Sequence, residues 1–421
     1  MNPVQASDLD PELIRAEFPA LQTQWALFDN AGGSAPARAV IARMSDHLAR
    51  LPFQLGASYE LSVEALAAVD AGRKAAAKLF NAKPNEMVLG ASSTILVKLL
   101  ARGLAHTWQP GDEVIVTDLD HEANIGPWRG LESAGIVCRE WRFRTESGEL
   151  HLEDLEPLLS ARTKLVAFTH CSNLIGTVHD VRRTCERIRE AGALSCVDGV
   201  AYAPHRRVDV GELAADFYFA SLYKIYGPHL ACLYGRQQLL EQAKGQNHFF
   251  VPEQQVPGKF EPGNVAYELA ASLPGILEYL YGLSDPGSTR SVSSEVLFAS
   301  AETYLPQVFE TIARREEMLC TELLLFLDRH PRVKLFGRAS ASSKERVPTI
   351  SFTVDGMRSS DVTSFLDAQH VAARYGHFYA HRAVERYGLH ETDGVVRVSL
   401  LHYNTETEVQ RLIEALQSLL A

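Results

Sequence analysis

The six cysteines form no obvious set. They lie scattered at positions 138, 171, 185, 196, 232 and 320, and no two make a C-x-x-C pair. That excludes the common zinc and dithiol signatures and gives no disulfide framework, so reduced, buried thiols of a cytoplasmic protein are expected. Positive charge is short as well. Lys and Arg number 41 against 52 Asp and Glu, a net charge of −11, which argues against nucleic acid or an anionic membrane as a partner. No apolar run reaches the ~18 residues needed to span a bilayer. The opening MNPVQASDLDPEL has neither a basic nor an apolar segment of a leader, so no secretory signal is expected. Internal repeats and low-complexity tracts are also missing. What is present is ordinary globular composition, 46% hydrophobic and 22% charged, over 421 residues. That length exceeds what a single core usually serves and predicts two or three domains.

Along the chain, apolar strand-like runs alternate with helical patterns. Asp10-Pro11 reads as the cap and first turn of an N-terminal helix. Strands are expected at 86–89, 113–117, 164–169, 194–197 and 216–220, with helices at 93–106, 125–134 and 181–191 between them. Alternation of this kind builds βαβ units and a mostly parallel sheet. Beyond about residue 265 the rhythm changes. Residues 283–295 are rich in Ser, Gly and Pro and read as a connection. A long helix (302–329), a strand (348–354), a helix (360–368), two strands (371–374 and 395–400) and a last helix follow. That last helix opens on Thr405 and Glu408, the spacing of a capping box, and Val409, Leu412, Ile413, Leu416 and Leu419 give it one apolar face. The C-terminal third reads as a smaller α+β domain.

Ligands of an open parallel sheet bind at the carboxyl ends of its strands. Five such ends here carry notable polar groups: Ser93-Thr94, His121, Asn173, Asp198 and the Ser221–Lys224 turn. Each has an ordinary explanation. Ser-Thr at a helix start is commonly an N-cap, although the same helix end offers N–H groups and a positive dipole to a phosphate. A lone histidine is more often a loop or core residue than a ligand. Asp198 is harder to dismiss, because a carboxylate closing the apolar run Leu-Ser-Cys-Val is unfavourable unless paired. Lys224, set in FYFASLYKIYGPH, is a candidate for a lowered pKa and for imine chemistry.

The pieces FDNAGGS, LDHEANIGPW, THCSNLIGT, SCVDGVAYAPH, SLYKIYGPHL and VRVSLLHYNT span nearly the whole chain. Through them the sequence resembles the class V aminotransferases, and among them the cysteine desulfurase-like branch. The resemblance implies a pyridoxal-phosphate (PLP) enzyme of fold type I, with an α/β large domain built on a seven-stranded, mostly parallel sheet. It places an N-terminal helical arm at 1–25, the PLP domain at 26–285 and a small α+β domain at 286–421. Lys224 would carry the cofactor as a Schiff base, Asp198 would pair with its ring nitrogen, and His121 would stack on the ring, making these three the catalytic set. Ser93, Thr94, Ser221 and Tyr223 would hold the phosphate, and Asn173 would lie near the cofactor O3′ or the substrate carboxylate. Arg397 would clamp the substrate carboxylate, with Asn30, His377 and Tyr379 beside the substrate. Gly263-Asn264 would reach in from the second subunit of a homodimer.

The sequence departs from the pattern in four places. Tyr379 stands where the desulfurases carry their nucleophilic loop cysteine, and no cysteine follows Cys320. Ala201 replaces the Gln or His that meets the cofactor phenolate. Tyr223 replaces the His before the lysine, and Asn264 replaces a Thr. The last two keep hydrogen-bonding capacity; the first two change the chemistry. The expected activity is therefore a lyase acting on a small α-amino acid by β-elimination at a Cβ–S or other Cβ–X bond. Transamination, epimerisation of the isopenicillin N epimerase-like kind and a non-catalytic PLP-binding homologue are the alternatives.

Overall fold

The computed structural model describes residues 9–284 and 292–421. Helix Pro11–Ala16 begins as the sequence predicts, with the Asp10 carboxylate accepting from Glu12 N–H at 2.8 Å and Pro11 in the first turn. Strand β1 (Ala26–Leu27) and helices Arg38–Arg50 and Glu60–Leu79 follow. Seven strands then form the main sheet: β2 (Met87–Gly90), β3 (Glu113–Thr117), β4 (Val137–Trp141), β5 (Thr163–Thr169), β6 (Leu194–Asp198), β7 (Phe217–Ser221) and β8 (Ala231–Gly235). Their spatial order is β2-β8-β7-β6-β5-β3-β4, and only β8 runs against its neighbours. The carboxyl ends of the six like-directed strands therefore share one edge.

Side chains along a strand point to opposite faces in turn, and both faces of this sheet are covered. Val114 and Val116, Leu165 and Ala167, and Phe217 and Phe219 pack under helix Ser93–Leu104. The residues between them, Ile115, Val166, Phe168, Tyr218 and Ala220, pack on the other side against helices Glu60–Leu79, Val181–Glu190 and Pro274–Ser284. This explains the unbroken apolar runs. A strand buried on both faces has no solvent side to make polar.

The C-terminal part builds a four-stranded antiparallel sheet from β9 (Val333–Phe336), β10 (Thr349–Val354), β12 (Arg374–Gly376) and β13 (Val395–Ser399), in the order β12-β13-β10-β9. Helices Ser359–Ala368 and Glu406–Leu420 cover it, the latter with the expected Thr405–Glu408 capping box. One run divides differently from expectation. Residues 371–374 are not one strand: β11 (Val371–Ala372) pairs in parallel with β1, while Arg374 already belongs to β12 opposite β13. Residues 125–134 likewise form one α-turn and a 3₁₀ segment instead of a continuous helix, ending where Gly135 turns left-handed at φ 84°. Much of the expected connection at 283–295 lies outside the described residues, and helix Ser294–Arg329 starts eight residues before the pattern suggested.

That 36-residue helix joins the two parts. Its first half, through Tyr304, Leu305 and Ile312, packs into the main core; its second, through Leu319, Leu323 and Leu327, packs under the small sheet. Between them sits Glu316, fully buried, accepting from His205 Nδ1 at 2.8 Å and Arg206 Nη1 at 2.7 Å. Removing one member of such a buried ionic group costs about 3–5 kcal/mol, because the other charge is left without a partner. Among the described residues no helix is long and apolar enough to cross a membrane.

Candidate active site

The shared strand edge gathers the chemistry. β7 ends at Ser221 and the chain turns at once through the short 3₁₀ segment Leu222–Lys224, which directs Lys224 inward, 8% exposed. Asp198 closes the adjacent β6 and is 5% exposed, with Val200 N–H donating to one of its carboxylate oxygens at 2.8 Å. Among the described residues no group donates to the other oxygen. Burial first, and the Arg397 charge second, push the Lys224 ammonium down to about 8, with Asp198 and Asp29 pulling it back. Burial also raises Asp198 to about 6. At neutral pH the site thus pairs an ionised carboxylate with a lysine much closer to its neutral form than a surface lysine is.

His121 follows β3. Its Nδ1 accepts from Ala123 N–H at 3.0 Å, which leaves the proton on Nε2. Burial, then Lys224 and Arg397, hold the ring at about 4, so it is a neutral flat surface at working pH. Asp120, one residue earlier, was missed by the sequence reading. It is fully buried, bonded by Asn124 Nδ2 at 2.7 Å and by the Thr117 hydroxyl, and burial followed by the Asp198 charge raises it to about 8. It holds the β3 end in place as a neutral acid.

The first turn of helix Ser93–Leu104 sits at the end of β2, capped by the Ser92 hydroxyl. Ser93 and Ser221 lie Oγ to Oγ at 2.8 Å, both buried. Two hydroxyls beside free helix N–H groups make a donor cluster suited to an anion. Thr94 is half-buried in the same turn. Tyr223 is half-buried, its ring 4.4 Å from that of His229. Behind the site, Gly199 follows Asp198 against the ring of Tyr218. A Cβ at 199 would lie 2.0 Å from that ring, which His170 Nδ1 fixes through the phenol at 2.9 Å. Only glycine lets the chain leave Asp198 on this path.

The small sheet supplies the roof. Arg397 on β13 reaches across, Nη1 donating to the Asn173 carbonyl at 3.0 Å and Nη2 to Asp29 Oδ1 at 3.1 Å. Asn173 Nδ2 donates to the Phe378 carbonyl at 2.8 Å, and Glu122 N–H to the Tyr379 carbonyl at 2.8 Å. Those bonds pin the turn in which Phe378 and Tyr379 both take left-handed φ values, 50° and 60°, a conformation that non-glycine residues hold only when their surroundings enforce it. The Phe378 ring lies 3.8 Å from the Arg397 guanidinium, and the Tyr379 ring is 5.1 Å from His121. His377 and Tyr379, both exposed, line a cavity of about 470 Å³ on the outer side of this turn. A larger one, about 560 Å³ between Trp141, His151, His179 and Arg338, contains none of these residues.

The two remaining expected residues, Asn30 and Asn264, are bonded within the chain. Asn30 is enclosed in structural bonds: Nδ2 donates to the Leu27 and Ser399 carbonyls, and Oδ1 accepts from the Tyr403 hydroxyl. Its neighbour Asp29 is the one that meets Arg397. Asn264 is exposed, and its Nδ2 donates to Tyr267.

The donor set fits PLP. Among the described residues, the buried Asn173 Oδ1 and Arg397 Nε have no protein partner, the second Asp198 oxygen has no donor, and Lys224 makes no ion pair with Asp198 despite their electrostatic coupling. These are the unsatisfied groups that an aldehyde, a ring nitrogen, a phenolate and a carboxylate would meet.

Comparison with known proteins agrees. The model of the family described as aminotransferase class-V matches residues 26–283 and 286–412. An aminotransferase-like protein, FGM3, of Gibberella zeae is 39% identical, covering 99% of this chain and 100% of that protein. A cysteine desulfurase of Serratia proteamaculans is 32% identical over 96% of this chain and 97% of its own length. The crystal structure of the cysteine desulfurase CsdA of Escherichia coli superposes with a TM-score of 0.81 at 25% identity, covering 97% of this chain and 98% of that one. A buried lysine and aspartate on adjacent strand ends, in a family matched along nearly its whole length, establish that this chain belongs to the class V aminotransferases, PLP-dependent enzymes, on their cysteine desulfurase-like side.

Proposed function

We propose that this enzyme cleaves a Cβ–S or other Cβ–X bond of a small α-amino acid by β-elimination, releasing the leaving group directly instead of passing sulfur to a protein thiol. The observation that carries this is the state of the thiols. Burial holds Cys138 and Cys320 at about 11 and Cys171, Cys185 and Cys232 at about 12, and raises Cys196 as well. Sulfur acceptance needs a thiolate, and burial disfavours it at all six positions. The turn over His121 presents the phenol of Tyr379 instead.

PLP, when bound, supplies an electron sink for charge developing at the substrate Cα. Lys224 is the amine to which it bonds, and the same nitrogen, lowered to about 8, can take up and return the Cα proton near neutral pH. Asp198 holds the proton at the ring nitrogen. His121 offers a neutral face, and Ser93, Ser221 and the helix start hold the phosphate. Arg397 orients the substrate by its carboxylate with a planar fork, and the buried Phe378 ring against it keeps water from that side.

The test is incubation with L-cysteine, L-serine and β-chloro-L-alanine without any keto-acid acceptor. Catalytic pyruvate, with sulfide from cysteine, is the expected outcome. Product that forms only with an added keto acid would reassign the reaction to transamination, and racemised substrate would reassign it to epimerisation.

The homodimer belongs to the same reading. Gly263-Asn264 lies exposed with both residues at positive φ, and nearby Phe249 is 99% exposed, an apolar surface that a second copy would cover. Light scattering of the purified protein is expected to give twice the chain mass; a monomer at micromolar concentration would refute it.

A further inference from the structure

Arg374 and Arg397 are direct partners across the antiparallel β12–β13 pair, so two guanidinium groups stand on one face of the small sheet. Like charges placed opposite each other in this way repel. The structure answers with a single carboxylate. Asp29 sits between them, Oδ1 3.1 Å from Arg397 Nη2 and Oδ2 3.5 Å from Arg374 Nη1. The two arginines differ sharply in setting. Arg397 is 3% exposed and Arg374 is 58% exposed, with Asp29 between at 29%.

Asp29 therefore occupies the edge of Arg397 that a planar carboxylate would use. The other contacts of that guanidinium, the Asn173 carbonyl and the Phe378 ring, come from elsewhere and need not change. Asp29 is also fixed in the chain beside the clamp, since residue 29 bridges to Ser399 on β13. Its carboxylate can let go of one arginine and keep the other without leaving its place.

We propose that Asp29 is an exchangeable counter-ion for Arg397: the substrate α-carboxylate takes its place on the buried guanidinium, and Arg374 retains the displaced carboxylate. This rests on Arg397 as the substrate clamp and makes Asp29 a positioning residue for it. Once the exchange is complete each arginine has a carboxylate of its own, and Arg397 has one before and after it, so the buried charge is never left alone. It also gives the site a reason to refuse amines that have no carboxylate. Such a ligand leaves Asp29 seated and gains nothing from Arg397.

The experiment is absorbance titration of the PLP-loaded enzyme with 2-methylalanine, which has no Cα hydrogen to lose, and with isopropylamine, the same molecule without its carboxylate. In Asp29→Asn the competing charge is gone, and 2-methylalanine is expected to bind about two- to fivefold tighter, the range of a partly exposed ion pair, with isopropylamine unchanged. Arg374→Gln, at an exposed position that leaves folding intact, removes the resting place; it is expected to weaken 2-methylalanine binding by about threefold in the native background and to have little effect in Asp29→Asn. Equal changes for both ligands, or weaker 2-methylalanine binding in Asp29→Asn, overturn the proposal, as does an Arg374→Gln effect that is the same in both backgrounds. A native protein with no visible band overturns the cofactor reading itself, and the two failures are thereby told apart.

Discussion

Replacing Lys224 by alanine is expected to remove the covalent bond to PLP and to lower kcat by about 10⁴-fold or more, because one side chain both carries the cofactor and moves the substrate proton. Borohydride treatment of the native enzyme should fix the cofactor to the peptide that contains Lys224, and Lys224→Ala should fix none. The native protein adds a pH signature. Only the neutral amine bonds to an aldehyde, and burial with the nearby Arg397 sets Lys224 at about 8 in place of 10.5. Capture of PLP by stripped protein should therefore rise with pH and level off just above 8. The same shift has a consequence for stability. A lysine whose folded pKa is lowered destabilises the fold while it is charged. That penalty is fully present below about 8 and is relieved as pH rises toward 10.5, since the unfolded chain binds more protons in that window. Lys224→Met should accordingly raise the Tm of stripped protein more at pH 7 than at pH 10. Covalent cofactor on Lys224→Ala, or capture that levels off only near pH 10, would place the imine elsewhere.

The main sheet was legible in the sequence because its strands are buried on both faces. Continuous apolar runs such as EVIVT then mark their own boundaries, and β3 was found to the residue. The strand ends were legible for the same reason. Asp198 and Lys224 stand out against apolar neighbours because polarity there opposes burial. Less visible were features made by contacts distant in sequence. β4 carries Arg139 and Glu140 in an edge strand and reads as polar. Residues 371–374 divide between two partners that only the folded chain defines. Asp29 illustrates the limit best. FDNAGGS drew attention to Asn30, yet Asn30 is consumed by Leu27, Ser399 and Tyr403, while the adjacent carboxylate meets an arginine 368 residues away. No local pattern distinguishes the two. The one available signal was that a buried Arg397 needs an acid somewhere in the chain.

Asp198→Asn is the second large effect, and it separates cofactor binding from catalysis. Asparagine keeps an oxygen for the Val200 N–H, so the turn into Gly199 is preserved. It cannot hold a proton at the ring nitrogen, and the electron sink weakens. kcat is expected to fall by about 10³-fold, the scale of losing a preorganised charge at a developing carbanion, while PLP still bonds to Lys224 and the visible band persists. A merely structural role would lower both together. The mutation also removes the carboxylate that raises Lys224, so the amine falls below its native value of about 8 and the pH profile of PLP capture moves to lower pH. Asp120 offers an internal control, since Asp198 is one of the charges that keep it protonated; with Asn at 198 it ionises more readily. Native kcat in Asp198→Asn, or a capture profile shifted upward, would mean that the carboxylate at the end of β6 does not face the cofactor ring.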